Sequence, residues 1–254
     1  MIFAIGDIHG KLSMLNTALE NLQRELHPSD VVVFLGDYID RGEDSAGVIA
    51  RLIQFKKHHK QTVFLRGNHE DMLLQSHTLD PDSWEQHWLS QGGNQTLKSF
   101  GIDWSPYWRN HIPRSAMRFI WDTRIEYVTE RFHFVHAGLL QVGHDPEVPE
   151  GLDPRLWVRN AFIDNNEDLG RVVVFGHTPQ PSHKPLWRRN KVGLDTGAFL
   201  PGGRLSVAGF DDDRPRIEMP EFSLLQVLED GAVEIDMYLN ASTHADGRRD
   251  DSSD

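Results

Sequence analysis

The 254-residue sequence predicts an α/β fold in which short buried strands alternate with amphipathic helices over the first half of the chain. Two observations carry this prediction. Apolar runs of four or five residues, such as 31–35, stop abruptly at glycine, as buried strands do. Between these runs, apolar residues recur at spacings of three and four, which is the period of a helix. The chain is long enough for one such domain, which we assign to residues 1–240.

The elements of the first half follow in order from this pattern. Residues 2–5 are apolar and form the first predicted strand. A leucine stripe predicts a helix over 12–26, and it is too short for a coiled coil. The run 31–35 is the second strand, a helix over 45–59 follows, and 62–65 form the third strand.

The middle of the chain has a different composition. Residues 79–115 contain four tryptophans, the pair Gly92-Gly93 and three prolines, which predicts a helical insertion and not a sheet strand. The insertion lies between the third and fourth predicted strands that end in polar loops, so it is placed to cover a site there. The alternative is a cap with a small core of its own, because buried tryptophans supply much of the packing in such segments.

The second half is richer in strands. A helix is predicted at 114–123, and strands at 124–129, 131–136, 172–175, 191–194, 204–210, 221–228 and 232–239. We interpret the arginines at 188 and 189 as exposed loop residues. Residues 241–254 contain no apolar side chain larger than alanine and are predicted to be a disordered tail.

Composition excludes several classes of partner and mechanism. The net charge of −12 argues against nucleic acid and anionic membranes, since both require basic patches. The chain has no cysteine, which excludes a cysteine nucleophile and a disulfide framework. No basic leader and no apolar run of about 18 residues is present, so a cytoplasmic location is expected. The oligomeric state is left open.

Five predicted strands each end in a loop that carries Asp, His or Asn next to glycine. The loops are GDIHG (6–10), GDYIDRG (36–42), RGNHE (66–70), HAG (136–138) and GHT (176–178). The ligand-type side chains that they contribute are Asp7, His9, Asp37, Asn68, His136 and His177. Carboxylate, imidazole and amide groups without thiolate suit Mn²⁺, Fe or Zn²⁺. Six ligands exceed the need of one tetrahedral ion and fit two ions that share a bridging carboxylate.

This ordered set of motifs resembles the PPP-type metallophosphoesterases, and among them the bacterial and phage serine/threonine protein phosphatases. The resemblance covers about residues 1–210, and it extends to the turn DTGA at 195–198. In the insertion, the residues similar to that family are Trp84, Gln91, Gly92, Gly93 and Thr96. The resemblance implies a four-layer α/β/β/α sandwich with two mixed β-sheets and a centre of two divalent metal ions. Mn²⁺ is the favoured metal, with Fe or Zn²⁺ as alternatives.

The resemblance also implies a role for each ligand. Asp7 and His9 would hold the first ion and Asp37 would bridge both ions. The second ion would be completed by Asn68, His136 and His177. A metal-bridging hydroxide would then attack phosphorus in line, without a covalent intermediate.

Five residues are implied in phosphate binding and proton transfer. Arg41 and Arg159, the latter in a W-x-R setting, would hold phosphoryl oxygens together with Asn68, because a planar guanidinium binds two oxygens at once. His69 would donate a proton to the leaving oxygen, and Asp40 would orient it and favour its cationic form. The alternatives are a surface ion pair for Arg159 and a buried ion pair for His69 with Asp40.

The function predicted from these residues is that of a serine/threonine protein phosphatase, which acts on a phosphorylated protein or a small phosphoester. The alternative is a dinucleoside polyphosphate hydrolase, for example of diadenosine tetraphosphate. Those relatives usually show NHD where this chain has NHE at 68–70, and they often lack an Asp matching Asp40, which favours the phosphatase. A non-catalytic metal-binding scaffold is a remote alternative, and the complete ligand set argues against it.

Overall fold

The computed structural model describes residues 1–79, 81–140, 148, 150–212 and 222–237. The predicted tail at 241–254 lies outside the described residues. Within the described part of the chain, no helix is both long and apolar enough to cross a membrane.

The described residues form eleven strands and eight α-helices. The strands are β1 (Ile2–Ile5), β2 (Val31–Phe34), β3 (Thr62–Phe64), β4 (Glu126–Val128), β5 (Phe132–Val135), β6 (Val172–Phe175), β7 (Leu186–Arg188), β8 (Lys191–Gly193), β9 (Arg204–Phe210), β10 (Phe222–Leu228) and β11 (Val233–Met237). The α-helices are α1 (Leu12–Glu25), α2 (Ser45–His58), α3 (Asn68–Leu74), α4 (Pro81–Trp88), α5 (Asn94–Ser99), α6 (Arg114–Trp121), α7 (Pro154–Trp157) and α8 (Asn160–Ile163). Shorter helical turns are Gln75–Leu79, Leu89–Gly93 and Trp108–Asn110.

The strands form two mixed sheets. The first has the order β11-β10-β9-β1-β2-β3, with β1, β2 and β3 parallel and β9 antiparallel to β1. The second has the order β4-β5-β6-β8-β7, with β5, β6 and β8 parallel. The parallel strands at the centre of each sheet direct their carboxyl ends to one edge, which is where α/β sheets bind ligands.

The two sheets pack face to face with helices outside them. Along β1, Ile2 and Ala4 point into a core shared with the second sheet, while Phe3 and Ile5 point into the core under α1 and α2. This alternation is the period of two that a strand imposes on its side chains. A third core lies between the second sheet and the segment of α7 and α8. The predicted four-layer α/β/β/α sandwich is therefore confirmed.

The helical insertion at 79–115 is also confirmed over its described residues, and it contributes Trp88 and Trp108 to the core outside the first sheet. Three local features differ from the sequence prediction. The sequence also predicts a helix over 71–76, but this helix begins earlier, at Asn68, so Asn68 opens a helix and does not lie in the preceding loop. The strand β7 was not predicted, because three residues give no measurable alternation. Arg188 lies in that strand, half-buried, and donates a hydrogen bond to the carbonyl of Ile163 at 2.6 Å, so it is not an exposed loop residue.

Candidate active site

The predicted site residues come together where the central strands of both sheets end. Asp7 and His9 follow β1, Asp37 follows β2, His136 follows β5 and His177 follows β6. Asn68 and His69 are the first two residues of α3, which begins after the short loop 65–67 that follows β3. The seven side chains are buried, at most 4% exposed.

The backbone around these residues is unusual, since several of them adopt left-handed conformations. The φ angles are +45° at His9, +52° at Asp37, +71° at Asp40, +67° at Arg41 and +65° at His177. Non-glycine residues avoid this region because the Cβ atom crowds the carbonyl oxygen, at a cost of about 1–2 kcal/mol per residue. Such strain persists only where the surrounding structure enforces it, and it concentrates at functional sites.

One group of ligand atoms surrounds Asn68. His136 lies with Nδ1 2.8 Å from the carbonyl of Leu35, and His177 with Nε2 3.2 Å from the carbonyl of Trp157. A neutral imidazole has one N–H, so each ring donates it to the backbone and keeps a lone pair on its other nitrogen. Those nitrogens lie 3.0 Å and 2.9 Å from the Asn68 side-chain oxygen. Lone pairs on His136 Nε2, His177 Nδ1 and Asn68 Oδ1 therefore face one another.

A second group lies on the other side of Asp37. His9 donates from Nδ1 to the carbonyl of Ile39 at 2.9 Å, which leaves a lone pair on Nε2, the nitrogen that lies 3.4 Å from Asp37 Oδ2. His69 Nε2 lies 4.0 Å from the same oxygen. Asp37 Oδ1 faces the first group, 3.4 Å from His136 Nε2. The two carboxylate oxygens of Asp37 therefore point to different groups, which is the arrangement that a bridging ligand requires.

Asp7 is not among the residues whose ligand atoms are grouped with His9, although the family resemblance implies that both hold the first ion. Its carboxylate accepts the backbone N–H of His177 at 3.0 and 3.2 Å. Gly176 makes this approach possible, because a Cβ atom there would lie 2.1 Å from Asp7 Oδ1. The residue grouped with His9 and Asp37 at ligand distances is His69. The assignment of Asp7 to the first ion remains a prediction.

Burial and charge set the protonation of these groups. Burial alone would raise the pKa of Asp37, but the imidazoles of His136, His69, His9 and His177 hold it far below its usual range. Burial lowers the pKa of each ligand histidine, namely His9, His136 and His177. Burial followed by the carboxylates of Asp195 and Asp37 raises the pKa of Asp7. The site thus combines neutral imidazoles with crowded carboxylates.

This donor set fits divalent cations. Two groups of His and Asp side chains have ligand atoms within 4.8 Å of one another, and both include Asp37. Lone pairs that face each other at hydrogen-bond distance repel unless a proton or a cation lies between them. Because burial disfavours protonated imidazole here, a cation is the better solution. Nitrogen and oxygen ligands without sulfur suit a metal of the Mn²⁺, Fe or Zn²⁺ kind.

The Asp40 carboxylate is fully buried and receives donors from three side chains. His69 Nδ1 lies 2.7 Å from Oδ2, and Trp88 Nε1 donates to the same oxygen at 3.0 Å. Thr96 Oγ1 donates to Oδ1 at 2.6 Å. Burial raises the pKa of Asp40, and the hydrogen bonds from His69 and Thr96 oppose that rise. Two of the three donors belong to the insertion, which therefore reaches the site.

Two guanidinium groups face the site without a carboxylate partner at ion-pair distance among the described residues. Arg159 donates a hydrogen bond to the carbonyl of His177 at 3.0 Å. Arg41 donates to His9 Nε2 at 2.9 Å and lies 4.3 Å from the centre of the Phe199 ring. Guanidinium groups without a carboxylate partner among the described residues, placed beside the candidate metal ligands, provide a place for an anion.

Sequence reasoning missed three residues that support the site. Glu70 is fully buried and accepts the backbone N–H groups of residues 37, 38, 39 and 67 at 2.8–3.3 Å, so it ties the Asp37 loop to the start of α3. Asp195 is 1% exposed and its Oδ2 has no hydrogen-bond partner among the described residues. Phe199 contacts both Arg41 and His9. The signals were present, since Glu70 completes GNHE and the other two belong to or follow the DTGA turn.

Comparison with known proteins agrees with this geometry. The sequence profile described as calcineurin-like phosphoesterase matches residues 1–207. The chain is 30% identical over 220 residues to serine/threonine-protein phosphatase 1 of Salmonella typhimurium, which covers 82% of this chain and 90% of that protein. It is 33% identical over 94 residues to serine/threonine-protein phosphatase 2 of Escherichia coli, 37% of this chain and 38% of that one.

A solved structure of a candidate diadenosine tetraphosphatase has the same fold. Its TM-score is 0.53 at 18% identity, with 94% of each chain covered.

The chain belongs to the calcineurin-like metallophosphoesterase family, and it is a phosphatase of that class. Its relatives include bacterial serine/threonine-protein phosphatases. The family uses a dinuclear metal centre, and the chain carries His and Asp groups able to hold metal ions.

Proposed function

We propose that the protein is a serine/threonine protein phosphatase. The observation that carries this proposal is the pairing of His69 with Asp40 at 2.7 Å, next to the metal-ligand set. A serine or threonine side chain leaves as a strongly basic alkoxide, which needs a proton in the transition state. The hydrolysis of a dinucleoside polyphosphate expels a phosphate anion, which is far less basic and needs no donor. A dedicated donor therefore favours the phosphomonoester of an alcohol.

The metals proposed for this site are two Mn²⁺ ions, with Fe or Zn²⁺ as alternatives. His9 and Asp7 would hold one ion, Asp37 would contact both, and Asn68, His136 and His177 would hold the other. When bound, such ions neutralise phosphate charge and lower the pKa of a coordinated water. Each ligand imidazole is fixed by an N–H bond to a backbone carbonyl, which sets the tautomer that leaves a lone pair for a metal.

The remaining site residues bind and orient the substrate. Arg41 and Arg159 provide planar donors for phosphoryl oxygens, and the Phe199 ring restricts where the Arg41 guanidinium can lie. His69 has its Nδ1 held by Asp40, so a proton on Nε2 points into the site toward Asp37. We assign this proton to the leaving oxygen.

Two kinds of similarity bear on the choice of substrate. The relatives with named activity and substantial coverage are serine/threonine-protein phosphatases, which supports the proposal. The candidate diadenosine tetraphosphatase shares the fold at 18% identity, which does not transfer a substrate.

The proposal is tested by phosphate release from the Mn²⁺-loaded protein with three substrates at equal concentration: a phosphoserine peptide, diadenosine tetraphosphate and a nucleoside monophosphate. We expect the peptide to be hydrolysed with the highest kcat/KM. A higher kcat/KM for diadenosine tetraphosphate would replace this function with the alternative. Metal bound without turnover of any of the three would favour the scaffold.

A further inference from the structure

The helical insertion contributes a tryptophan to the hydrogen bonds around the proposed proton donor. Trp88 is the last residue of α4 and is fully buried. Its indole N–H donates to Asp40 Oδ2, the oxygen that also receives the N–H of His69. Trp88 and Asp40 are separated by 48 positions in the sequence, so their hydrogen bond forms only in the folded protein. Asp40 is fully buried, with 0% of its surface exposed to solvent.

We propose that Trp88 is a positioning residue for proton transfer: through its hydrogen bond to Asp40, the indole holds the Asp40–His69 pair so that His69 Nε2 faces the leaving oxygen. This inference rests on the proposed function, since it assumes that His69 donates the proton. It assigns to the insertion a part in the chemistry, in addition to its packing.

The contacts around Asp40 explain why one more donor matters. Oδ1 is held by Thr96, and Oδ2 is shared by His69 and Trp88. Without the indole N–H, the side-chain donors to the carboxylate that remain among the described residues are Thr96 and the imidazole that the carboxylate is meant to hold. The His69 ring would then follow the carboxylate instead of being fixed by it. Catalytic groups must keep their geometry within fractions of an ångström for efficient transfer.

The indole is itself held rigidly. Trp88 packs against Trp108 with ring centres 5.0 Å apart. Gly93 lies against its face so closely that a Cβ atom there would come within 2.6 Å of the ring. The neighbouring Gly92 has φ +115°, and its Cβ position lies 2.5 Å from the backbone nitrogen of Arg41. The insertion therefore packs closely against the loop that carries Asp40 and Arg41. This packing restricts the orientation of the Trp88 ring and of its N–H group.

The simpler interpretation is that Trp88 only fills the core. The two interpretations differ in what a phenylalanine would do at this position. Trp88→Phe keeps an aromatic ring in the core but removes the N–H donor. Trp108→Phe is the matched control, because Trp108 is the other member of the buried ring pair and makes no hydrogen bond to Asp40. Thr96→Val removes the hydroxyl donor to Oδ1 with little change in shape and serves as a second variant if Trp88→Phe does not fold.

The readout is the dependence of the rate on the leaving group. Single-turnover rates are measured for wild type, Trp88→Phe, Trp108→Phe, Thr96→Val and His69→Asn on a phosphoserine peptide and on p-nitrophenyl phosphate. Metal content and melting temperature are determined for every variant. The p-nitrophenolate ion leaves without help from a proton, so its rate reports the rest of the site.

We expect Trp88→Phe to lose about tenfold on the phosphoserine peptide, as for one hydrogen bond to a charged group, with KM unchanged. On p-nitrophenyl phosphate the loss should be about threefold or less, from slight repacking of the core. Thr96→Val should show the same ranking. Trp108→Phe should leave the ratio of the two rates as in wild type.

Four outcomes would overturn the inference. The first is that Trp88→Phe lowers the rate equally on both substrates, or on neither, while His69→Asn lowers it selectively on the peptide. This result would keep His69 as the donor and assign Trp88 to core packing alone. The same selectivity in Trp108→Phe would show that the effect arises from the core. If Trp88→Phe does not fold, a Thr96→Val variant without selectivity overturns the account of Asp40. Equal losses of His69→Asn on both substrates would instead contradict the donor role in the proposed function, and the inference would fail with it.

Discussion

Replacement of Arg159 by alanine should weaken phosphate binding while leaving the fold nearly unchanged. The guanidinium lies beside the site, and among the described residues it donates a hydrogen bond to the carbonyl of His177 at 3.0 Å. Loss of that bond should cost about 1 kcal/mol of unfolding free energy, since the side chain is half-buried and water can replace it. Two charge-assisted bonds to phosphate would each contribute about 1.5–3 kcal/mol. After partial replacement by water and by Arg41, we expect about 2–3 kcal/mol, or a thirtyfold to hundredfold weaker inhibition by phosphate, at about 1.4 kcal/mol per factor of ten.

The assay is the inhibition constant of inorganic phosphate against p-nitrophenyl phosphate on the Mn²⁺-loaded protein, with the melting temperature measured in parallel. Arg159→Lys keeps the charge but loses the planar pair of donors, so it should recover only part of the affinity. Arg189→Ala removes an exposed arginine in the turn before β8 and should change neither quantity. The reasoning is refuted if Arg159→Ala leaves the phosphate constant at its wild-type value, or if Arg159→Lys restores it fully.

Three further predictions test other parts of the structure. Asp37→Asn should remove at least one metal equivalent and most activity, because the carboxylate whose two oxygens face both ligand groups loses its charge. Two bound ions by metal analysis, together with near-native turnover, would exclude a bridging role. Gly92→Ala should lower unfolding free energy by more than about 2 kcal/mol, since its Cβ position lies 2.5 Å from the Arg41 nitrogen. Gly101→Ala, with φ +70° and nothing within 4 Å, is the denaturation control that carries backbone strain alone, and equal losses would contradict the contact argument. Deletion of residues 241–254, which contain no apolar side chain larger than alanine, should leave turnover and melting temperature unchanged; a large fall in either would show that the segment packs.

The sequence predicted that the candidate ligands would lie close together, because each of them lies within a few residues of the end of a buried strand. Parallel strands bring those ends together, so a one-dimensional pattern is enough to collect the five loops. The core of the sandwich was predicted on the same local basis, from apolar runs and their helical or alternating spacing. The packing of the two sheets came from family resemblance, since periodicity does not show which faces meet.

Contacts between distant segments could not be predicted in this way. The bond from Trp88 to Asp40 joins residues 48 positions apart, and no spacing rule connects a tryptophan-rich insertion with a carboxylate in a glycine loop. The grouping of His69 instead of Asp7 with His9 depends on side-chain rotamers, which a motif does not specify. The strand of Arg188 is defined by pairing with β8, and three residues carry too little signal of their own.

Five residues of the candidate site have a left-handed backbone: His9, Asp37, Asp40, Arg41 and His177. Under the proposed function, selection for thermostability and selection for activity would favour different residues at these positions. Glycine adopts these angles without the crowding of a Cβ atom, so glycine would relieve about 1–2 kcal/mol at each position in the absence of other effects. Directed evolution that screens for heat resistance alone would therefore reward the loss of functional side chains here. Under the proposed function, a screen that requires turnover would have to seek its gains elsewhere in the chain, because each of these positions would lose folding free energy in order to orient a proposed ligand or donor.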